Sequence, residues 1–268
     1  VDHVRVSLPD SPWLRRIASP SASVQLILLP HAGGSAHAYG SWASVLPDDV
    51  ALSAVEYPGH GARLTERPID DPAAMVAGLA DVLTGVRERL DGRPLVIGGH
   101  SLGALLAHEV AAVLQAAGRP VDGLLLSGAL PPHRRTMVAD LSNLTDEALA
   151  VALASEGDVP PELLEDAEAR AFYLPLVRQG LVFARSFCAA VAAGPPGREP
   201  VHAPAVVVGG ADDLRCPPAG LGAWADVVDG PLETAVLPGG HFYYRRQLGA
   251  VGRLLTGLVD RARRRVRS

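Results

Sequence analysis

Ile97-Gly98-Gly99-His100-Ser101-Leu102-Gly103-Ala104-Leu105-Leu106 is the stretch that decides how this chain is read. Upstream, Pro94-Leu95-Val96-Ile97 is a short apolar run of the kind that forms a buried strand. Downstream, Leu102 to Ala117 is rich in Ala and Leu and is stopped by Gly118 and Pro120, which predicts a helix. A serine pinched between strand and helix needs a strained backbone. Glycine two residues before it and two after, Gly99 and Gly103, removes the Cβ atoms that would collide there. Such a turn lifts the Ser101 hydroxyl above the sheet and aims the Leu102 N–H at the same space. The pattern G-x-S-x-G is common by itself; the strand before it and the helix after it give it weight.

Working outward, strands and helices alternate. Val24-Gln25-Leu26-Ile27-Leu28-Leu29 reads as a strand closed by Pro30, followed by the glycine loop His31-Ala32-Gly33-Gly34-Ser35 and a short helix from His37 to Leu46. A second strand spans Val50 to Tyr57. Asp70-Asp71-Pro72 then caps a helix running to about Leu90, because Asp suits the N-cap and Pro the first turn. After the serine helix comes Gly123-Leu124-Leu125-Leu126-Ser127. This alternation predicts a mostly parallel twisted sheet with helices on both faces. Between Pro131 and Pro200 it breaks into helical composition, interrupted at Val159-Pro160-Pro161, and residues 131–200 are expected to form a helical lid gating the site. Ala205-Val206-Val207-Val208 resumes the sheet, with a helix around Gly220–Val227 and a last strand from Leu232 to Leu237. Phe242 to about Arg263 is the closing helix. Residues 1–22 read as a surface arm anchored by Trp13. No internal repeat or long linker divides the chain, so residues 1–268 are read as one domain.

Composition narrows the chemistry. The formal charge is −5 and the pI about 6.0, giving no reason to expect nucleic-acid binding. All 24 basic residues are Arg, which excludes a Walker A lysine, a Schiff-base lysine and a pyridoxal-phosphate anchor. Two cysteines, Cys188 and Cys216, make no disulfide framework, and no secretory pattern opens the chain, so a reducing cytoplasmic setting is expected. No metal motif occurs, no membrane association is expected, and a monomer is the default. The arginine-rich tail from Arg261 to Arg267 reads as a solvated helix end.

Acyl transfer at a serine needs a base to take its proton and an acid to hold that base. His241, after Pro238-Gly239-Gly240, and one of Asp212 or Asp213, after Gly209-Gly210-Ala211, each follow a strand's carboxyl end, as Ser101 does. The order Ser, Asp, His is that of an α/β-hydrolase. Asp213 satisfies G-x-x-D with a proline four residues on; Asp212 misses that register, and the loop Gly128-Ala129-Leu130-Pro131-Pro132 offers no carboxylate. Asp213 is therefore preferred. The oxyanion should rest on the Leu102 N–H and on one from the loop after the first strand, for which Ala32 is chosen. His100 and His31 are assigned to packing or loop ordering.

These residues resemble the stand-alone type II thioesterases of polyketide and nonribosomal-peptide pathways. The likeness runs through Trp13-Leu14-Arg15-Arg16, Leu29-Pro30-His31-Ala32-Gly33-Gly34-Ser35, Tyr57-Pro58-Gly59-His60-Gly61-Ala62-Arg63, Gly99-His100-Ser101-Leu102-Gly103 and Gly239-Gly240-His241-Phe242. It implies an α/β-hydrolase fold and hydrolysis of acyl chains from the phosphopantetheine arm of an acyl or peptidyl carrier protein. No cofactor of the enzyme's own is implied. Ser101, Asp213 and His241 carry over as catalytic residues, and Ala32 and Leu102 as oxyanion donors. Two departures stand out: Leu102 replaces the usual methionine, and Val177-Arg178-Gln179-Gly180 stands where the family commonly has L-R-A-D. A general carboxylesterase or lipase-like hydrolase and a chain-releasing type I thioesterase domain are the alternative readings.

Overall fold

The computed structural model describes residues 11–18, 22–134, 141–156, 165–194 and 199–267. Among them the strands are β1 (Leu14–Ala18), β2 (Val24–Leu29), β3 (Val50–Val55), β4 (Leu95–His100), β5 (Gly123–Ser127), β6 (Ala205–Gly210) and β7 (Leu232–Leu237). They form one sheet in the spatial order β1-β3-β2-β4-β5-β6-β7. Every neighbouring pair is parallel except β1 with β3. Every residue of β2 through β6 is buried, the mark of strands covered on both faces.

The alternation of side chains along these strands divides the core. Ile27, Leu29, Ile97, Leu126 and Val207 pack beneath α1 (Pro72–Arg89) and α2 (Leu102–Ala116). Leu26, Leu28, Val96, Leu125, Val206 and Val208 face the opposite side. Between β5 and β6 the chain leaves the sheet to form α3 (Asp146–Glu156) and α4 (Ala167–Ala192), and α5 (Leu248–Arg267) closes the fold on the second face. The expected caps are present: Asp71 accepts from Ala74 N at 2.9 Å, and Asp166 from Ala169 N at 2.8 Å.

Several expectations are corrected. Part of the expected surface arm is β1, held antiparallel to β3. Leu14-Arg15-Arg16-Ile17-Ala18 hides its strand character because an edge strand keeps polar residues in water. Trp13 packs on the body, with the Arg63 guanidinium 4.6 Å from the ring centroid. The segments read as helices at His37–Leu46 and Gly220–Val227 are 3₁₀ turns, Ala36–Val45 and Pro218–Asp226. The closing helix begins at Leu248, after a separate turn at Tyr243–Arg245. Val159-Pro160-Pro161 lies outside the described residues. In the tail, Arg264, Arg265 and Arg267 are exposed as expected, while Arg261 pairs with Glu233 at 2.9 Å and Arg263 with Asp260 at 2.8 Å and with Asp49 at 2.5 Å. By length and hydropathy alone α4 could cross a membrane; in the fold it buries Leu174, Val177, Phe183 and Phe187.

Candidate active site

The carboxyl ends of β2, β4, β6 and β7 lie along one rim of the sheet, and the loops that follow carry Ala32, Ser101, Asp213 and His241. At the end of β4 the chain turns with Ser101 at φ 55° and ψ −117°, a left-handed conformation costly for any residue with a Cβ. The flanking glycines are needed for space. A Cβ on Gly103 would stand 1.9 Å from the Leu29 carbonyl oxygen, and one on Gly99 2.4 Å from the same atom. Leu102 opens α2, so its N–H has no acceptor within the helix and sits at the positive end of the helix dipole.

Asp213 and His241 meet from the neighbouring strands β6 and β7. Asp213 Oδ2 lies 2.8 Å from His241 Nδ1, while Asp213 Oδ1 accepts from the Arg215 and Cys216 amides at 2.9 and 3.0 Å. Both side chains are buried; Asp212 is exposed. A carboxylate can only accept, so it holds the imidazole proton on Nδ1 and leaves Nε2 as the free base. Nε2 is buried and has no hydrogen-bond partner among the described residues. It does not bond to the Ser101 hydroxyl in this structure. Ser101, His241 and Ala32 nonetheless line one cavity of about 270 Å³, roofed by α4.

His100, the residue before the serine, is fully buried with its ring centroid 4.8 Å from that of His241. Its Nδ1 lies 2.8 Å from Ser127 Oγ, which lies 2.6 Å from Tyr243 Oη, and Tyr243 donates onward to the Val208 carbonyl at 3.2 Å. That carbonyl can only accept, so the line runs Nδ1–H to Ser127, Ser127 to Tyr243, Tyr243 to Val208. Burial, reinforced by the neighbouring imidazoles of His241 and His31, holds His100 well below the ordinary histidine range. It stays neutral beside a base that must accept a proton. His31 packs edge-on against Phe242 with ring centroids 4.9 Å apart.

Residues 24–257 match the thioesterase domain family. This chain belongs to the thioesterase family. Among curated relatives of this thioesterase-family chain, thioesterase PikA5 of Streptomyces venezuelae is 30% identical over 241 residues, covering 88% of this chain and 81% of PikA5. Among solved structures, the type II thioesterase BorB of the borrelidin biosynthetic cluster aligns with TM-score 0.78 and 32% identity, covering 92% of this chain and 97% of BorB. YbtT, the type II thioesterase of the yersiniabactin pathway, aligns with TM-score 0.79 and 26% identity over 93% of this chain and 99% of its own. The chain spans 63% of a Streptomyces griseus relative and 10% of the AmbE synthetase of Pseudomonas aeruginosa.

Four residues bear on the rim in ways the sequence did not show: Tyr39 was not singled out, and Tyr57, Val177 and Gly180 were noted only as motif positions. The Tyr39 phenol donates to the Leu29 carbonyl at 2.7 Å and accepts from His100 N at 3.2 Å; the Tyr57 phenol donates to the Pro30 carbonyl at 3.1 Å. Two buried phenols thus pin the root of the Ala32 loop. Val177 and Gly180 of α4 press on that loop from above: a Cβ on Gly180 would come 2.6 Å from Gly33 N, and one on Gly33 would come 2.8 Å from the Val177 Cα. Tyr39 and Tyr57, well past the glycine loop, and a glycine in a helix carry no signal of their own; only the fold brings them together.

Proposed function

We propose that this chain hydrolyses acyl thioesters carried on the phosphopantetheine arm of acyl or peptidyl carrier proteins, releasing stalled or mis-primed chains from polyketide or nonribosomal-peptide synthases. The observation that carries the reading is the buried Asp213–His241 pair: Nε2 of His241 has no hydrogen-bond partner among the described residues, and His241 lines the same cavity as Ser101. The likeness to type II thioesterases of such pathways supports the substrate class.

In this mechanism His241 Nε2 takes the Ser101 proton as Oγ attacks the thioester carbonyl. The tetrahedral oxyanion rests on the Ala32 and Leu102 N–H groups, and Asp213 stabilises the imidazolium. Collapse expels the pantetheine sulfur, which leaves as the thiol with the proton from His241. Water, deprotonated by the same nitrogen, attacks the acyl-serine; its collapse returns the proton to Oγ and frees the carboxylic acid. The missing Ser101–His241 hydrogen bond is no obstacle, since such contacts often tighten only with substrate bound. The α3–α4 insertion acts as the lid.

The test is steady-state hydrolysis of an acyl-carrier thioester by wild type and Ser101→Ala, with a p-nitrophenyl ester of the same acyl group in parallel. The expected loss is about 10⁶-fold in kcat, with the carrier thioester favoured over the oxygen ester in the wild type. Near-normal turnover by Ser101→Ala removes the nucleophile, and preference for the oxygen ester makes the chain a general esterase.

A further inference from the structure

The cavity above Ser101 is a groove walled in at one end and open at the other. Leu181, Ala184, Cys188 and Ala192 of α4 line it, at spacings of three and four residues that put them on one face of the helix, with Ala189 beside them. Gly180 touches the Ala32 loop, so Leu181 marks the end of this face nearest the reacting carbonyl. At a rise of 1.5 Å per residue the face runs about 16 Å from there to Ala192. Ala184 is buried, whereas Ala189 and Ala192 are exposed, so the groove opens to solvent at its far end. Leu105, Leu130 and Pro132 are further apolar parts of the wall. His241 lines the same cavity, is 3% exposed and has no hydrogen-bond partner at Nε2 among the described residues. Arg185 and Arg215 also touch the cavity, but both have interaction partners, and the surface left for a ligand is chiefly apolar.

We infer that this groove takes long aliphatic acyl chains and sets no upper limit on their length. The inference rests on the thioesterase reading and narrows its substrate class. With the thioester carbonyl at Ser101, each methylene laid along the α4 face leaves water, which raises kcat/KM by up to about fourfold. Ala184, Ala189 and Ala192 leave this path clear, where larger side chains would fill it. The space is ample: the cavity measures about 270 Å³, and an engineered apolar cavity of about 150 Å³ holds benzene. Carbons beyond Ala192 pass into solvent, so they neither help nor hinder. The pantetheine arm is the other chain that must reach Ser101. Its amides would give up hydrogen bonds to water against an alkyl wall, which favours the acyl chain as the occupant.

The experiment compares kcat/KM for butanoyl, octanoyl and tetradecanoyl thioesters of pantetheine and of N-acetylcysteamine, each below its micelle concentration, with wild type and Ala189→Trp. Wild type is expected to favour the octanoyl over the butanoyl ester at least tenfold, and to turn over the tetradecanoyl ester no less efficiently than the octanoyl. Ala189→Trp puts an indole across the far part of the groove and should lower the tetradecanoyl-to-butanoyl ratio at least tenfold. Ala189 is exposed, so this variant keeps its fold, which its thermal midpoint checks. Equal efficiency on butanoyl and octanoyl esters overturns the inference and leaves the thioesterase reading standing. A wild-type tetradecanoyl value below the octanoyl one also overturns it, because the groove would then have a closed far end. So does an Ala189→Trp loss that is equal for all three acyl groups and confined to the pantetheine esters, since that would place the arm in the groove. Failure to hydrolyse any of these thioesters, with Ser101 still labelled by a fluorophosphonate, overturns the thioesterase reading itself.

Discussion

His100 is held neutral by burial while the unfolded chain protonates the same imidazole near pH 6.5. The unfolded state therefore binds more protons below that pH, and native stability falls as the solution is acidified. The slope from this group is at most about 1.4 kcal/mol per pH unit. His60, also pushed down by burial, adds to the same trend. Thermal unfolding followed from pH 7 to pH 5 should show a falling midpoint in the wild type and a shallower fall in His100→Asn. Equal slopes in the two proteins would mean that His100 does not carry the linkage. Replacement of His100 should also disturb catalysis, because the ring separates His241 from the Ser127–Tyr243 line beneath it.

At the scale of elements, α4 and the Ala32 loop behave as one unit because Gly180 has no side chain. Placing an acid there with Gly180→Asp, or adding only a methyl with Gly180→Ala, drives a Cβ to within 2.6 Å of Gly33 N. Either the helix lifts or the loop moves, at an overpacking cost of about 1–3 kcal/mol. The loop carries an oxyanion donor, and loss of one such donor costs on the order of 10²–10³ in kcat. Gly180→Ala is expected to lower kcat by about tenfold or more with KM nearly unchanged, measured on an acyl-pantetheine thioester. Unchanged kcat would show that the helix yields and the loop stays in place.

For the whole molecule, the buried strands were legible because β2 to β6 are predominantly apolar runs, and the rim site because glycines stand at or just past the carboxyl ends of β4, β6 and β7. What escaped depends on long-range placement. β1 carries arginines along an exposed edge, so its strand character comes from pairing with β3 and not from its own pattern. Apolar residues in Ala36–Val45 and Pro218–Asp226 look helical, yet both segments tighten into 3₁₀ turns. Asp213 was separable from Asp212 by register alone, but the contact of Gly180 with Ala32 joins residues 148 positions apart. No local pattern encodes such a contact. The most direct test of the central claim mixes the protein with an acyl-loaded carrier protein, quenches within the first turnover and measures intact mass. A transient gain equal to the acyl group, mapped to Ser101 and absent from Ser101→Ala, is the expected result. Release of the carrier thiol at the same rate from Ser101→Ala, with no such adduct in either protein, would contradict it.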